Sequence, residues 1–141
     1  MIIDWDYHHG DGTQAIFSGD PSVHCLSVHG AVDLYMSSIG VTELGTTAAA
    51  EDAGDQNIPV LDQFYTDEFW DELGLSGRYY RTNAVMTAFD TALGSMPWRL
   101  DIILIFAGYD AHREDCGKGM QEWSEQEYEA LTEKVRTVAR E

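Results

Sequence analysis

The 141-residue chain is long enough to bury one core without disulfide or metal staples, and one domain spanning residues 1–141 is the expectation. Its formal charge of −17, from 25 acidic against 8 basic residues, repels nucleic-acid phosphate and argues against direct DNA or RNA binding. The longest apolar run, residues 102–107, is too short to cross a bilayer, and Asp4 interrupts the only leader-like stretch, so no membrane partner and a cytoplasmic location are expected.

In chain order, residues 2–5 read as a short buried strand and residues 23–28 as a second. Residues 12–17 supply one or two helical turns between them, before the turn signal "SGDPS". Residues 30–54 lose both alternation and helical stripe and read as a long loop. "NIPV" at 57–60 reads as a short strand, with Pro59 arguing for an edge position or simply for a loop. Phe69, Trp70 and Leu73 predict a helix over 67–73 stopped by Gly74, and Val85, Phe89 and Leu93 a longer one over 78–94. "DIILIFAG" at 101–108 is apolar throughout, the pattern of a central parallel strand covered on both faces. The last helix opens with a capping box, Ser124 and Glu127, and a Trp123–Tyr128 staple, and carries Leu131, Val135 and Val138 along one face. Alternating strands and helices imply an α/β fold with a parallel-sheet core flanked by helices. Cys25 and Cys116 lack metal or redox spacing and read as reduced structural thiols.

The chemistry-bearing residues collect in two places. If residues 2–8 stay extended, Asp4, Asp6 and His8 project to one side, because strand side chains repeat every second residue. Two carboxylates brought together either raise each other's pKa or demand a cation. "FAGYDAHRED" sets Asp110 just past the carboxyl end of the other strong strand, where open α/β sheets place their ligands. An Asp, His, Asp set with an open position suits Zn²⁺, and Fe²⁺ or Mn²⁺ would accept the same donors. The acidic surface would attract a cationic substrate such as a lysine-rich tail or a polyamine, but its stronger reading is as a lysine-poor surface that keeps the chain soluble.

"DWDYHHGDGTQAIF", "PSVHCLSVH" and "DIILIFAGYDAHRED" resemble, in order and spacing, the metal-binding core of the zinc-dependent histone deacetylase family. That family includes the acetylpolyamine amidohydrolases and has the arginase-deacetylase fold, so the resemblance implies a shortened domain of that fold. It implies Asp6, His8 and Asp110 as metal ligands, and Asp4 and Asp11 as outer carboxylates that orient a catalytic histidine pair. It also implies a potassium site from the backbone carbonyls around Asp4, Asp6, His8 and Val28 with the Ser27 hydroxyl. His9 and His112 lie inside the motifs without a ligand role, His24 and His29 read as packing or surface residues, and Tyr35 and Tyr109 read as packing residues, with replacement of the family's tyrosine as the alternative.

The family's histidine pair should precede the Asp4 motif and its oxyanion tyrosine should follow the Asp110 motif, so neither falls within these 141 residues. After "SVHG" the chain reads "AVDLYMSSIGVTELG" where the family carries an aromatic and P-G-T-G segment, and Cys116 stands where its proline does. The resemblance therefore implies a metal-dependent amidohydrolase acting on acyl-lysine or acylpolyamine, weak or inactive as an isolated chain. The alternative is a non-catalytic, metal-binding and homo-oligomeric remnant of the fold. A two-metal ureohydrolase of the related arginase branch would need an S-x-D-x-D-x-x-D-like run, and none occurs.

Overall fold

The computed structural model describes residues 1–31, 56–61, 63, 65–72, 74, 80–96, 99–115 and 122–140. Among these, β1 (Ile2–Asp4), β2 (Cys25–Gly30), β3 (Gln56–Val60) and β4 (Leu104–Phe106) form a parallel sheet in the order β3-β2-β1-β4. Helices α1 (Asp11–Phe17), α2 (Asp67–Glu72), α3 (Thr82–Gly94) and α4 (Glu125–Val138) complete the α/β pattern. The expected architecture, a parallel sheet flanked by helices, is the one observed.

β1 and β2 are buried along their whole lengths, as expected of strands with a neighbour on each side. Ile3, Leu26 and Val28 meet Ile58 and Val60 of β3, Val85 and Phe89 of α3, and Leu131 and Val135 of α4 in one core. A smaller cluster joins Ala31, Leu61 and Trp70, with Tyr65 and Phe69 packed against it. α4 begins as its sequence dictates: Ser124 accepts from the Gln126 N–H, its own N–H donates to Glu127, and the Trp123 ring stands edge-on to Tyr128 at 5.4 Å.

Pro59 is accommodated at the outer position its sequence predicts. The Pro59 carbonyl accepts from Tyr80 N–H at 3.0 Å, so this residue's backbone polar edge faces away from β2 and the missing N–H costs no bond of the β2–β3 ladder. The same pairing explains why α3 starts at Thr82 and not at 78. Tyr80 is held extended by its bonds to Pro59 and Leu61, and Arg81 is still extended at the helix cap. β2 runs 25–30, two residues later than the 23–28 read from sequence, and α2 ends at Glu72, with 73 outside the described residues. The expected loop lies almost wholly outside them, at 32–55, as do Tyr35 and Cys116.

The reading of residues 101–108 as a central strand is reversed. β4 is three residues long, pairs only with β1 among the described residues, and exposes Leu104, Ile105 and Phe106, the last at 60%. An apolar run reports that a strand has the composition for burial on both faces. It does not report whether a second neighbour and a covering layer are present, and here they are absent among the described residues.

Candidate metal centre

β1 and β4 run side by side in the same direction, with Asp4 opposite Phe106. Advancing two residues along both chains brings Asp6 opposite Gly108, and two further residues on one side bring Asp110 to the same end of the sheet. Closeness at this point is possible only because residue 108 lacks a side chain. A Cβ there would fall 2.6 Å from Asp6 Oδ2 and 2.7 Å from Asp6 Cβ, and nearer still to Asp6 Cα.

β1 stops at Asp4, so Asp6 and His8 converge by a different device from the strand alternation expected over residues 2–8. Past the strand, each backbone N–H needs a new acceptor. Asp4 Oδ1 accepts from Asp6 N–H at 2.9 Å, and Asp6 Oδ1 accepts from His8 N–H at 2.8 Å, two successive side-chain turns that wind the loop inward. Tyr7 N–H donates to Asp110 Oδ1 at 2.8 Å and ties the second motif to the first across 103 residues.

The result is a three-residue cluster. His8 Nδ1 lies 3.1 Å from Asp6 Oδ1 and 3.1 Å from Asp110 Oδ2, and one donor atom from each of the three lies within 4.8 Å of the others. Two carboxylates aimed at one imidazole nitrogen leave acceptor capacity that a single N–H cannot fill, and a dication would fill it. With ligand bonds of about 2.1 Å, tetrahedral donors sit about 3.4 Å apart, so the two His8 separations already suit zinc. The chemistry of the donor set fits the expected metal. The site is open: the side chains of His8, Asp6 and Asp110 are 56%, 40% and 28% exposed.

Asp4 is buried, and burial holds its carboxyl above the ordinary carboxylate range, while the bond from Asp6 N–H and the nearby His9 pull the other way. The Asp4 carboxylate also fills the space beside Gly10, where a Cβ would collide with it. Asp11 is exposed at the first turn of α1 and accepts from Gly12 N–H. Ser27 faces Asp4 in the β1–β2 register, so Asp4, Ser27 and Val28 share the carboxyl end of the two central strands.

The histone deacetylase domain family matches residues 1–141. The chain is 34% identical over 149 residues to histone deacetylase 10, chloroplastic, of Oryza sativa subsp. japonica, covering 100% of this chain and 28% of that protein. It is 30% identical over 143 residues to histone deacetylase 14, chloroplastic, of Arabidopsis thaliana, covering 100% and 29%. The chain belongs to the histone deacetylase family. It spans under a third of the length of these relatives.

For a deacetylase-family chain, the remaining motif residues are instructive. His112 ends 3.8 Å from Glu125 and His9 bonds to Gln14 and Asn57, so neither joins the cluster. His24 and His29 are both buried, and His29 is more than packing, because its Nδ1 meets the Ser27 hydroxyl at 2.8 Å. Tyr109, expected as a packing residue, is exposed instead, with its ring contact to Tyr128 at 5.1 Å covering it in part. Sequence reading passed over Tyr128 as anything but a staple. Its hydroxyl is buried without a hydrogen-bond partner among the described residues, and burial, then the Asp110 and Asp115 charges, push the phenol well above its usual value. Its alternation with Leu131 and Val135 on one helix face marks it as core, and nothing in that pattern signals nearness to Asp110.

Proposed function

We propose that this chain is the metal-binding part of a zinc-dependent deacylase, with Asp6, His8 and Asp110 as ligands and acyl-lysine or acylpolyamine as substrate. The observation that supports it is the convergence of those three side chains at the carboxyl ends of two adjacent parallel strands in a deacetylase-family chain. A dication held there supplies Lewis acidity toward an amide carbonyl and an attacking water. Asp4 and Asp11 are assigned as the carboxylates that orient a histidine pair, and Fe²⁺ or Mn²⁺ as ions the site also accepts. Potassium is assigned to Asp4, Asp6, His8, Ser27 and Val28. The Ser27 hydroxyl suits that role where His29 carries its proton on Nε2, because Ser27 then donates to His29 Nδ1 and keeps its oxygen lone pairs for a cation.

Residues 1–141 are assigned to one domain, and as an isolated chain it is expected to bind metal and turn over weakly or not at all. The open site favours this second, non-catalytic reading, since hydrolytic centres gain most of their electrostatic strength by excluding water. The exposed β4 supports homo-oligomerisation, and a cytoplasmic location is retained as a proposal beside two relatives named chloroplastic. Among the described residues no helix is long and apolar enough to cross a membrane.

The test combines zinc affinity by chelator competition with turnover of an acetyl-lysine reporter. Zinc bound by wild type and lost in Asp110→Ala supports the ligand assignment. Turnover abolished by the same change supports the deacylase, zinc binding without turnover supports the non-catalytic reading, and absence of zinc binding overturns both.

A further inference from the structure

His9 adjoins a metal-ligand candidate in the sequence, yet its ring reaches a separate set of partners. Its Nε2 stands 2.8 Å from Gln14 Oε1 and 3.1 Å from Asn57 Oδ1. Two carbonyl oxygens facing one ring nitrogen require that nitrogen to carry the hydrogen. Asn57 Nδ2 also donates to Gln14 Oε1 at 3.3 Å, closing the network between the three side chains. The His9 ring packs on His29 with centroids 4.2 Å apart, and His29 Nδ1 meets the Ser27 hydroxyl. Gln14, Asn57, Ser27 and His29 are all buried.

These partners come from α1, β3 and β2, whereas Asp6 and His8 sit on the loop that leaves β1. That loop is fastened at its start by Trp5 N–H to Phe106 O and at its end by Gln14 N–H to Gly10 O. Between the two fastenings, Tyr7 O accepts from Gly30 N–H and the Tyr7 ring packs against Gly30 of β2, while the His9 ring reaches on to Asn57 of β3. We propose that His9 is a positioning residue: its Nε2–H, given to Gln14 and Asn57, and its stacking on His29 hold the Asp6–His8 loop in the shape that receives the metal. The proposal rests on the reading of Asp6, His8 and Asp110 as ligands.

Three variants separate positioning from bulk stability. His9→Phe keeps a ring for His29 but removes the donor, and His9→Gln restores an amide N–H near the place of Nε2. Leu131→Ala, in the core of α4 and outside this network, supplies a comparable loss of stability. Zinc affinity is read by chelator competition and site geometry by the visible spectrum of the Co²⁺-loaded protein. Loss of an outer hydrogen-bonding partner weakens metal binding about 10- to 100-fold, so His9→Phe is expected to fall in that range with an altered Co²⁺ spectrum. His9→Gln is expected to recover most of the loss, and Leu131→Ala to leave affinity and spectrum as in wild type. Should His9→Phe not fold, Gln14→Met removes an acceptor from the other side of the same bond and is expected to weaken zinc in the same direction. Wild type that holds zinc while His9→Phe (or, in its place, Gln14→Met) holds it equally well overturns the positioning role alone. Wild type that holds no zinc overturns the ligand reading, and this role with it.

Discussion

Gly108→Ala tests the idea that the two motifs meet because one residue between the strand ends has no side chain. The backbone at Gly108 is not left-handed, so alanine adds only bulk, and that bulk lands 2.7 Å from Asp6 Cβ and 2.6 Å from Asp6 Oδ2. Carbon contacts prefer about 3.5–4.0 Å, so the ends of β1 and β4 must part by roughly 1 Å. Overpacking of this kind costs about 1–3 kcal/mol. The stiffer unfolded chain returns only about 0.4–1 kcal/mol, which leaves a net loss of roughly 1–2 kcal/mol. The displacement also moves Asp6 in the wrong direction, because zinc would draw the donor atoms, now within 4.8 Å, closer together. Urea unfolding with and without zinc reads both effects. At zinc one hundred times the wild-type Kd, wild type gains about 2.7 kcal/mol, and a variant binding tenfold more weakly gains about 1.4 kcal/mol. Equal stability without zinc and an equal gain with it would refute the steric argument.

Three other outcomes are expected. Leu131→Ala, at a fully buried position that holds no donor atom of the cluster, should cost about 2–5 kcal/mol in urea unfolding and leave zinc affinity unchanged. Burial raises Glu127, but its bonds from the Ser124 hydroxyl and N–H outweigh that and hold its carboxyl below the ordinary range. A lowered folded pKa stabilises above the unfolded value and is lost as pH falls through the folded one, so the melting temperatures of wild type and Glu127→Gln should differ at pH 7 and converge in acid; a constant gap would refute it. Ile105→Lys places a charge on the exposed β4 and should shift light-scattering mass toward the monomer at unchanged zinc affinity, whereas an unchanged mass removes β4 from any interface.

The sequence made the elements legible where local chemistry decides them. Ser124 and Glu127 mark the start of α4 because a capping box is a contact between residues three apart, and Pro59 marks an outer strand because its lost N–H has only one harmless direction. The site residues were legible as types, since Asp6, His8 and Asp110 are unusual company for the ends of apolar strands. What was not legible depends on partners distant in the chain. The apolar run at 102–107 looks the same whether or not a neighbour covers it, and Tyr80 delays α3 only because β3 binds it. The alternation of Asp4, Asp6 and His8 gave the right company for the wrong reason, because turn bonds to side chains, not strand pleating, bring Asp6 and His8 round.

That difference bears on how the site is held. A strand would fix its side chains through a ladder on both edges, with no energetic role for the carboxylates themselves. In the observed loop the Asp4 and Asp6 carboxylates are structural acceptors for the N–H groups of Asp6 and His8, and Asp110 accepts from Tyr7. The Asp6 and Asp110 carboxylates thus hold backbone N–H groups and also face the cluster, so the groups that would bind a cation are among those that shape the loop. Replacing Asp6 by Ala removes a donor and also frees His8 N–H, whereas Asp6→Asn keeps the oxygen that His8 N–H needs and removes only charge. Asn should therefore preserve the apo melting temperature better than Ala while losing zinc comparably. If both variants melt alike without metal, the turn bond at His8 carries no stability and the loop is shaped by other contacts.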